Sequence, residues 1–498
     1  MEKLAGSART RVAGRDVLII MKIDNSSPFE PGRAEMSAMA NTVTRQVTAF
    51  LAARDLRPAH DGTAPDTERK LTDAFLAGPA EGGTSLDGLM DRLGAAAENA
   101  IETAGPRLLA ALPGGGLYAS ALAEFFTKAL NRYGTLAAAA PALTALEEGV
   151  LRWMARDVCG LPPGSSGVLT TGGSMANLSA VVTARHDRLG EDIGRGTLYV
   201  SEQAHYSVAK AARIAGIPQR NVRVVPVDEH LRMDLRAAAE RIRADRAAGL
   251  RPFLLVATAG TTDTGAIDPL PDAGDLAARE DLWFHVDAAY GGFFRLTGRG
   301  RERTAGIERA DSVTLDPHKA LFLPFGTGAL VVRDPGRLQD AHDGSAHTLQ
   351  DVGASDALPD YARRGIELSR ENRGVRVWLP LHLYGLSAFR DALDEKLDLA
   401  ARIHRTLSAV PHLDVPWRPE LTAVAFAVRP ERPGRAARLA ADAATRRLLD
   451  RVNADGRSVV HSTTVAGRQL IRLCVLAHRT HAEHVDDVLH LITAEKGE

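Results

Sequence analysis

Asp311-Ser312-Val313-Thr314-Leu315-Asp316-Pro317-His318-Lys319 reads as a strand that runs into a short turn bearing a lysine. Upstream, Trp283-Phe284-His285-Val286-Asp287-Ala288-Ala289 takes a second apolar strand to a carboxylate. Working outward, the runs 167–171, 197–201, 222–227, 252–258 and 327–332 join 282–287 and 311–315 as candidate strands. Helical stretches fall between most of them, at 174–189, 206–215 and 234–247 among others. Such alternation predicts an α/β domain on a mainly parallel seven-stranded sheet with helices on both faces. Ligands of such sheets bind beyond the carboxyl ends of the strands, where the notable side chains of this chain cluster.

The rest of the chain organises around that block. Residues 1–110 predict a mostly helical arm with no convincing strand, broken by polar loops near 61–66 and 78–84. Residues 111–385 form the large α/β domain, with a helix through 146–158 leading in. Residues 386–498 form a smaller α+β domain with strands at 423–428 and 470–476. Between them, 338–366 is polar and weakly periodic, the length of a lid or a disordered loop, and a helical block follows at about 372–408.

Composition narrows the class. The 498 residues carry 61 basic and 62 acidic side chains, a formal net charge of −1, which gives no support for a nucleic-acid or anionic-membrane partner. The two cysteines, Cys159 and Cys474, lie in apolar runs and form no disulfide framework, so a reduced, cytoplasmic setting is expected. The longest early apolar run, 17–21, is too short for a signal-peptide core or a membrane span. No metal site is expected.

Four groups carry chemistry. Thr170-Thr171-Gly172-Gly173-Ser174-Met175-Ala176-Asn177 joins a strand to a helix, and its glycines, helix N-terminus and Ser174 hydroxyl suit a phosphate. Alone it reads equally as a serine-capped turn. His205, after the strand at 197–201, could stack on an aromatic cofactor and meet a substrate carboxylate, although a lone histidine is more often structural. Asp287 ends an apolar strand, where an unpaired carboxylate is costly and calls for a cationic partner. Lys319 precedes the apolar run Ala320-Leu321-Phe322-Leu323, a setting that favours nucleophilic amine chemistry. A lysine after one strand and an aspartate at the end of another can hold pyridoxal 5′-phosphate between them. The amine forms a Schiff base with its aldehyde, and the carboxylate keeps the pyridine nitrogen protonated so that the ring accepts electrons.

On 170–177, Ala204-His205, Gly260-Thr261-Thr262, 285–290, 316–319 and 368–384, the chain resembles the group II amino-acid decarboxylases. These are fold-type I, pyridoxal-phosphate-dependent, transferase-like enzymes. The likeness spans about residues 105–400. It implies Lys319 as the Schiff-base lysine, Asp287 as the pyridinium partner and His205 stacked on the ring. It puts Gly173, Ser174 and Asp316 around the phosphate, Thr262 and Ala289 against the cofactor, and His318 beside the lysine. The charge of Asp316 repels phosphate, so a bridging donor or water is needed there. Arg370 matches an arginine near the substrate or the site framework. An obligate homodimer with the active site at the interface is implied.

Three departures bear on the reaction. Relatives with aromatic substrates carry aromatics where this chain has Ala111-Leu112, which argues for a small or polar L-amino acid. Many relatives have Arg-Arg-Phe where this chain has Arg370-Glu371-Asn372. The loop tyrosine that donates the final proton in many relatives is replaced by His347, by ungapped counting. A histidine can still act as a general acid near neutral pH. Relatives lacking the tyrosine can instead divert the reaction to dioxygen, releasing aldehyde, ammonia and hydrogen peroxide. Simple decarboxylation leads, oxidative deamination comes second, and a carbon–carbon or β-elimination lyase third. A non-catalytic partner protein sharing the fold is the reading outside enzymes, and the intact Lys319, Asp287 and His205 argue against it.

Overall fold

The computed structural model describes residues 7–12, 15–20, 29–59, 65–112, 114–344 and 358–494. It divides into two compact units, residues 1–57 with 61–102, and 58–60 with 103–498.

The first unit opens with a hairpin of β1 (Ser7–Val12) and β2 (Arg15–Ile20), antiparallel from Ser7↔Ile20 to Val12↔Arg15. Three helices follow, α1 (Arg33–Ala53), α2 (Pro65–Leu76) and α3 (Leu86–Glu98). Gln46 Nε2 on α1 donates to Asp91 Oδ1 on α3 at 2.8 Å. The hairpin corrects the expectation of an arm without strands. Its β-branched residues, Val17, Ile19 and Ile20 among them, favour extended chain, but over six residues the signal is too short to stand out.

The second unit begins with α4 (Tyr118–Leu130) and α5 (Pro141–Trp153). The helix expected through Val158 stays α-helical only to Trp153 and closes with a π-helical turn, Met154–Val158. The alternating block then runs β3 (Ser166–Thr170), α6 (Gly173–Leu189), β4 (Gly196–Ser201), α7 (Tyr206–Ile214), β5 (Val222–Val225) and α8 (Leu235–Ala247). It continues with β6 (Arg251–Thr258), α9 (Leu270–Arg279), β7 (Trp283–Asp287), α10 (Gly298–Arg303), β8 (Ser312–Leu315), α11 (Pro317–Ala320), β9 (Gly328–Val332) and α12 (Pro335–His342). All seven expected strands are present and form one sheet in the order β3-β9-β8-β7-β6-β4-β5. Its pairs are parallel except those of β9, which is antiparallel to both β8 and β3. The largest buried cluster takes in residues of β3, β7, β8 and β9 together with α5, α6 and α9, which pack against the sheet.

The long helix α13 (Gly374–Ser408) breaks at Gly385, where φ is +76°. Its second half packs with the C-terminal elements β10 (Leu413–Asp414), β11 (Ala423–Val428), α14 (Arg435–Ala454), β12 (His461–Val465), β13 (Arg468–Cys474) and α15 (Ala482–Thr493). Their strands make a four-stranded antiparallel sheet, β10-β11-β13-β12. The expected α/β architecture with a small α+β end therefore holds. The middle of the loop read as a lid, residues 345–357 with His347 in them, lies outside the described residues, as does Pro113, and the start of that loop is the end of α12. No helix among the described residues is long and apolar enough to cross a membrane.

Candidate active site

The carboxyl ends of β3, β4, β6, β7 and β8 converge on a cavity of about 360 Å³. Gly173, Ser174, His205, Thr262, Asp287, Ala289, Asp316, His318 and Lys319 all line it, so one concave surface gathers side chains spread over 147 positions of sequence. Thr171, Gly172, Met175, Asn177, Tyr206, Ser207, Thr258, Gly260 and Tyr290 complete the lining.

At one side the chain turns from β3 into α6 through Gly172 and Gly173. A Cβ on Gly173 would stand 2.8 Å from Asp316 Oδ2 and 3.2 Å from the Ala289 Cβ, so only glycine lets the helix start this close to the loops after β7 and β8. Gly173 and Ser174, the first residues of α6, line this corner, and a helix N-terminus attracts an anion.

Asp316 stands at the same corner, and Lys319 follows it along the turn after β8. Pro317 opens the one-turn helix α11, which suits a residue without an N–H. Lys319 Nζ lies 3.1 Å from Asp316 Oδ2, and His318 Nε2 lies 3.7 Å from the same oxygen. The other oxygen, Asp316 Oδ1, is buried with no hydrogen-bond partner among the described residues, and so is Thr258 Oγ1. Gly114 packs beneath: its N–H donates to the His318 carbonyl at 3.0 Å, and a Cβ there would lie 2.3 Å from the Lys319 carbonyl oxygen.

Asp287 ends β7 between Thr258 of β6 and Thr314 of β8, and it is 5% exposed. Its Oδ2 accepts from Asn177 Nδ2 at 2.9 Å and its Oδ1 from the Ala289 N–H at 3.2 Å. Both donors are neutral, and no cation pairs with Asp287 among the described residues. A buried carboxylate held this way still calls for a positive charge. His205 caps α7, and its Nδ1 meets Ser207 Oγ at 2.7 Å. Burial pushes the His205 imidazole below its ordinary pKa, and the nearby Asp287 charge offsets this only in part.

The structure does not bring three other expected residues into the cavity. Leu112 is buried in the main core and Ala111 is half-buried beside it, with neither lining the cavity. Arg370 is buried elsewhere, with Nη2 2.5 Å from Glu147 Oε1 and its guanidinium over the Tyr361 ring at 4.7 Å. The departures beside it have structural accounts. Glu371 accepts from Arg376 and pairs with Lys128, and Asn372 donates to the Arg132 carbonyl at 3.3 Å.

Asn177 lies inside the quoted glycine motif and Ser207 in the helical stretch 206–215, and only the fold reveals what they touch. Arg472, on β13, had no signal in the sequence. Its guanidinium donates to the Thr262 carbonyl at 2.5 Å and to the Ala110 carbonyl at 2.6 Å.

Comparison with known proteins matches this geometry to a family. The pyridoxal-dependent decarboxylase conserved domain matches residues 80–429. An aromatic-L-amino-acid decarboxylase from Bacillus atrophaeus is 32% identical over 390 residues, covering 78% of this chain and 81% of that protein. A 4-hydroxyphenylacetaldehyde synthase from Rhodiola rosea is 28% identical over 493 residues, covering 94% of this chain and 96% of its own. The crystal structure of Oryza sativa TDC with PLP and tryptamine superposes with a TM-score of 0.87 at 27% identity, over 94% of this chain and 98% of that one.

Proposed function

Because this chain belongs to the pyridoxal-dependent decarboxylase family, we propose that it removes the α-carboxylate of a small or polar L-amino acid, with Lys319, Asp287 and His205 as the working side chains. Pyridoxal 5′-phosphate is the cofactor, and the residues present fit it. A buried carboxylate that no cation pairs with among the described residues, the Lys319 amine beside Asp316 and a glycine-lined helix N-terminus share one cavity. When bound, the cofactor supplies an electron sink for the carbon that loses CO2.

The chain's own residues do the rest. Lys319 would carry the cofactor through its amine and yield it to the substrate amine. Asp287 would balance a protonated ring nitrogen. Gly173, Ser174 and the α6 amides would hold the phosphate, with His318 beside the lysine. Thr262 and Ala289 would pack against the cofactor, and His205 would lie on its face. The observation that carries this reading is the single cavity that joins Lys319 to a carboxylate that no cation pairs with among the described residues.

The small or polar substrate rests on sequence alone, on Ala111 and Leu112 standing where relatives with aromatic substrates carry aromatics, since neither residue lines the cavity. A second reading, decarboxylation with oxidative deamination to an aldehyde, is favoured by His347 at the position of the loop tyrosine, and the Rhodiola rosea relative is an aldehyde synthase by name. A homodimer accords with two apolar stripes left exposed, Met36, Met39, Val43 and Val47 on α1, and Leu122, Phe125 and Phe126 on α4. A cytoplasmic setting accords with the two buried, unpaired cysteines.

Reconstituted enzyme incubated with single L-amino acids tests all of this, with CO2, amine, aldehyde and hydrogen peroxide read together. CO2 with amine supports decarboxylation. Aldehyde and peroxide with oxygen uptake move the outcome to the second reading. Turnover without CO2 overturns both.

A further inference from the structure

Asn177 sits at the centre of a hydrogen-bond network that joins Asp287, Ser207, Thr314 and His285. Its Nδ2 donates to Asp287 Oδ2 and to Ser207 Oγ, each at 2.9 Å. Its Oδ1 accepts from Thr314 Oγ1 at 2.7 Å and stands 3.1 Å from His285 Nε2. The two donors and two acceptor positions of the amide are all used. A flipped amide would set its oxygen against the Asp287 carboxylate, two acceptors face to face, so the orientation is fixed.

That orientation dictates protons further out. Oδ1 only accepts, so His285 Nε2 must carry hydrogen. Burial lowers the pKa of His285, so the ring is neutral and its Nδ1 is a bare acceptor. Ser312 Oγ, 2.8 Å away, therefore donates to Nδ1, and Ser312 in turn accepts from Trp283 Nε1, a pure donor, at 2.8 Å. On the other side, the Ser207 backbone N–H donates to His205 Nδ1 at 3.3 Å, so that nitrogen is bare. The Ser207 hydroxyl, which accepts from Asn177, therefore gives its own hydrogen to His205 Nδ1 at 2.7 Å. His205 thus keeps its hydrogen on Nε2, which has no protein partner among the described residues.

We infer that Asn177 is a positioning residue that holds Asp287 as an acceptor and His205 as an Nε2–H donor, setting the two sides of the cofactor cavity through one amide. The inference rests on the proposed placement of pyridoxal phosphate in this cavity. It goes further by naming what fixes the proton inventory there and by giving His205 a donor suited to a substrate carboxylate.

The test starts from apoprotein titrated with pyridoxal phosphate, following the visible absorption band and the Kd. Wild-type protein that shows no band sinks the placement of the cofactor itself. With the wild type binding, Asn177→Asp puts a second carboxylate oxygen against Asp287, and the Kd is expected to rise at least about tenfold with a changed band. Folded N177D that binds within twofold of wild type, with an unchanged spectrum, overturns the inference and leaves the cofactor reading standing. A second measurement needs no Asn177 variant: nitrogen-15 NMR of histidine-labelled wild type, with His205 and His285 assigned from H205Q and H285Q. Both rings are expected protonated on Nε2 and bare on Nδ1. Hydrogen on Nδ1 of either ring overturns the inference.

Discussion

Lys319 Nζ and Asp316 Oδ2 stand 3.1 Å apart, three residues from each other along the turn after β8. The pair gives Asp316 a cationic partner of its own. It also places a negative charge beside the α6 N-terminus, where the cofactor phosphate is proposed to sit. Taking the lysine amine into a bond with the cofactor must break this pair. Asp316→Asn removes both the pair and the charge, so affinity for pyridoxal phosphate is expected to rise about three- to tenfold, the worth of one partly screened ion pair. Titration of the apoprotein checks this, and weaker binding would mean that the carboxylate itself serves the phosphate.

Lys319 is the only lysine among the residues lining the cavity. Lys319→Ala is therefore expected to abolish the yellow colour of the reconstituted enzyme and reduce CO2 release to background. Turnover near the wild-type rate in this variant would remove the lysine from the mechanism.

Arg370 and Glu147 make an ion pair whose side chains are 2% and 1% exposed. Breaking a buried pair strands the remaining charge, so Arg370→Ala is expected to cost about 3–5 kcal/mol of stability. Urea unfolding measures the loss. At a temperature where the variant stays folded, KM should change little, because the guanidinium lies outside the cavity. A large KM effect without destabilisation would return Arg370 to substrate recognition.

The contrast between Arg370 and Lys319 marks what was legible. The strand-turn-lysine pattern is local, so periodicity locates β8 and the turn to within a residue or two, and the same holds for Asp287 on β7. The partner of Arg370 lies 223 residues away, and nothing in either neighbourhood announces it. A buried arginine with a carboxylate looks, in sequence, like an arginine waiting for a substrate carboxylate. Asn177 was visible as a letter in a phosphate-loop motif, but its four contacts come from α7, β7 and β8 and exist only after folding. The β1–β2 hairpin escaped for the opposite reason: its pattern is local but spans too few residues to compete with a helical neighbourhood.

Asp268 is buried beneath the end of β6, where its carboxylate accepts from the Met233 N–H at 2.7 Å and the Thr258 N–H at 2.8 Å. Burial outweighs these bonds and pushes its pKa up to about 6. Between about pH 4 and 6 the folded chain thus holds a proton that the unfolded chain has released. Stability from this group is fully present below that window and falls as pH rises through it, by about 3 kcal/mol. Asp268→Asn cannot titrate, so the stability of the variant minus that of wild type should climb by about that amount from pH 4 to pH 7. Urea unfolding at the two pH values gives the difference directly, and a flat or falling difference would refute the assignment.

Arg472 reaches from β13 to two carbonyls, those of Thr262, which lines the cavity, and Ala110, which precedes Ala111 and Leu112. The guanidinium is 7% exposed and pairs with no carboxylate among the described residues, so its charge serves these carbonyls alone. A charged donor contributes about 1.5–3 kcal/mol per hydrogen bond, and two such bonds are enough to fix one segment against the other. Arg472→Lys can keep one bond but not span both. Thr262, on the cavity wall, should then shift against the 110–112 segment, raising KM for the amino acid about tenfold, the loss of roughly 1.4 kcal/mol of positioning, while the Kd for pyridoxal phosphate moves by less than about threefold. Steady-state kinetics and cofactor titration of the same preparation separate the two effects. If cofactor affinity collapses and KM holds, Arg472 supports the cofactor through Thr262, and the 110–112 segment has no part in choosing the substrate.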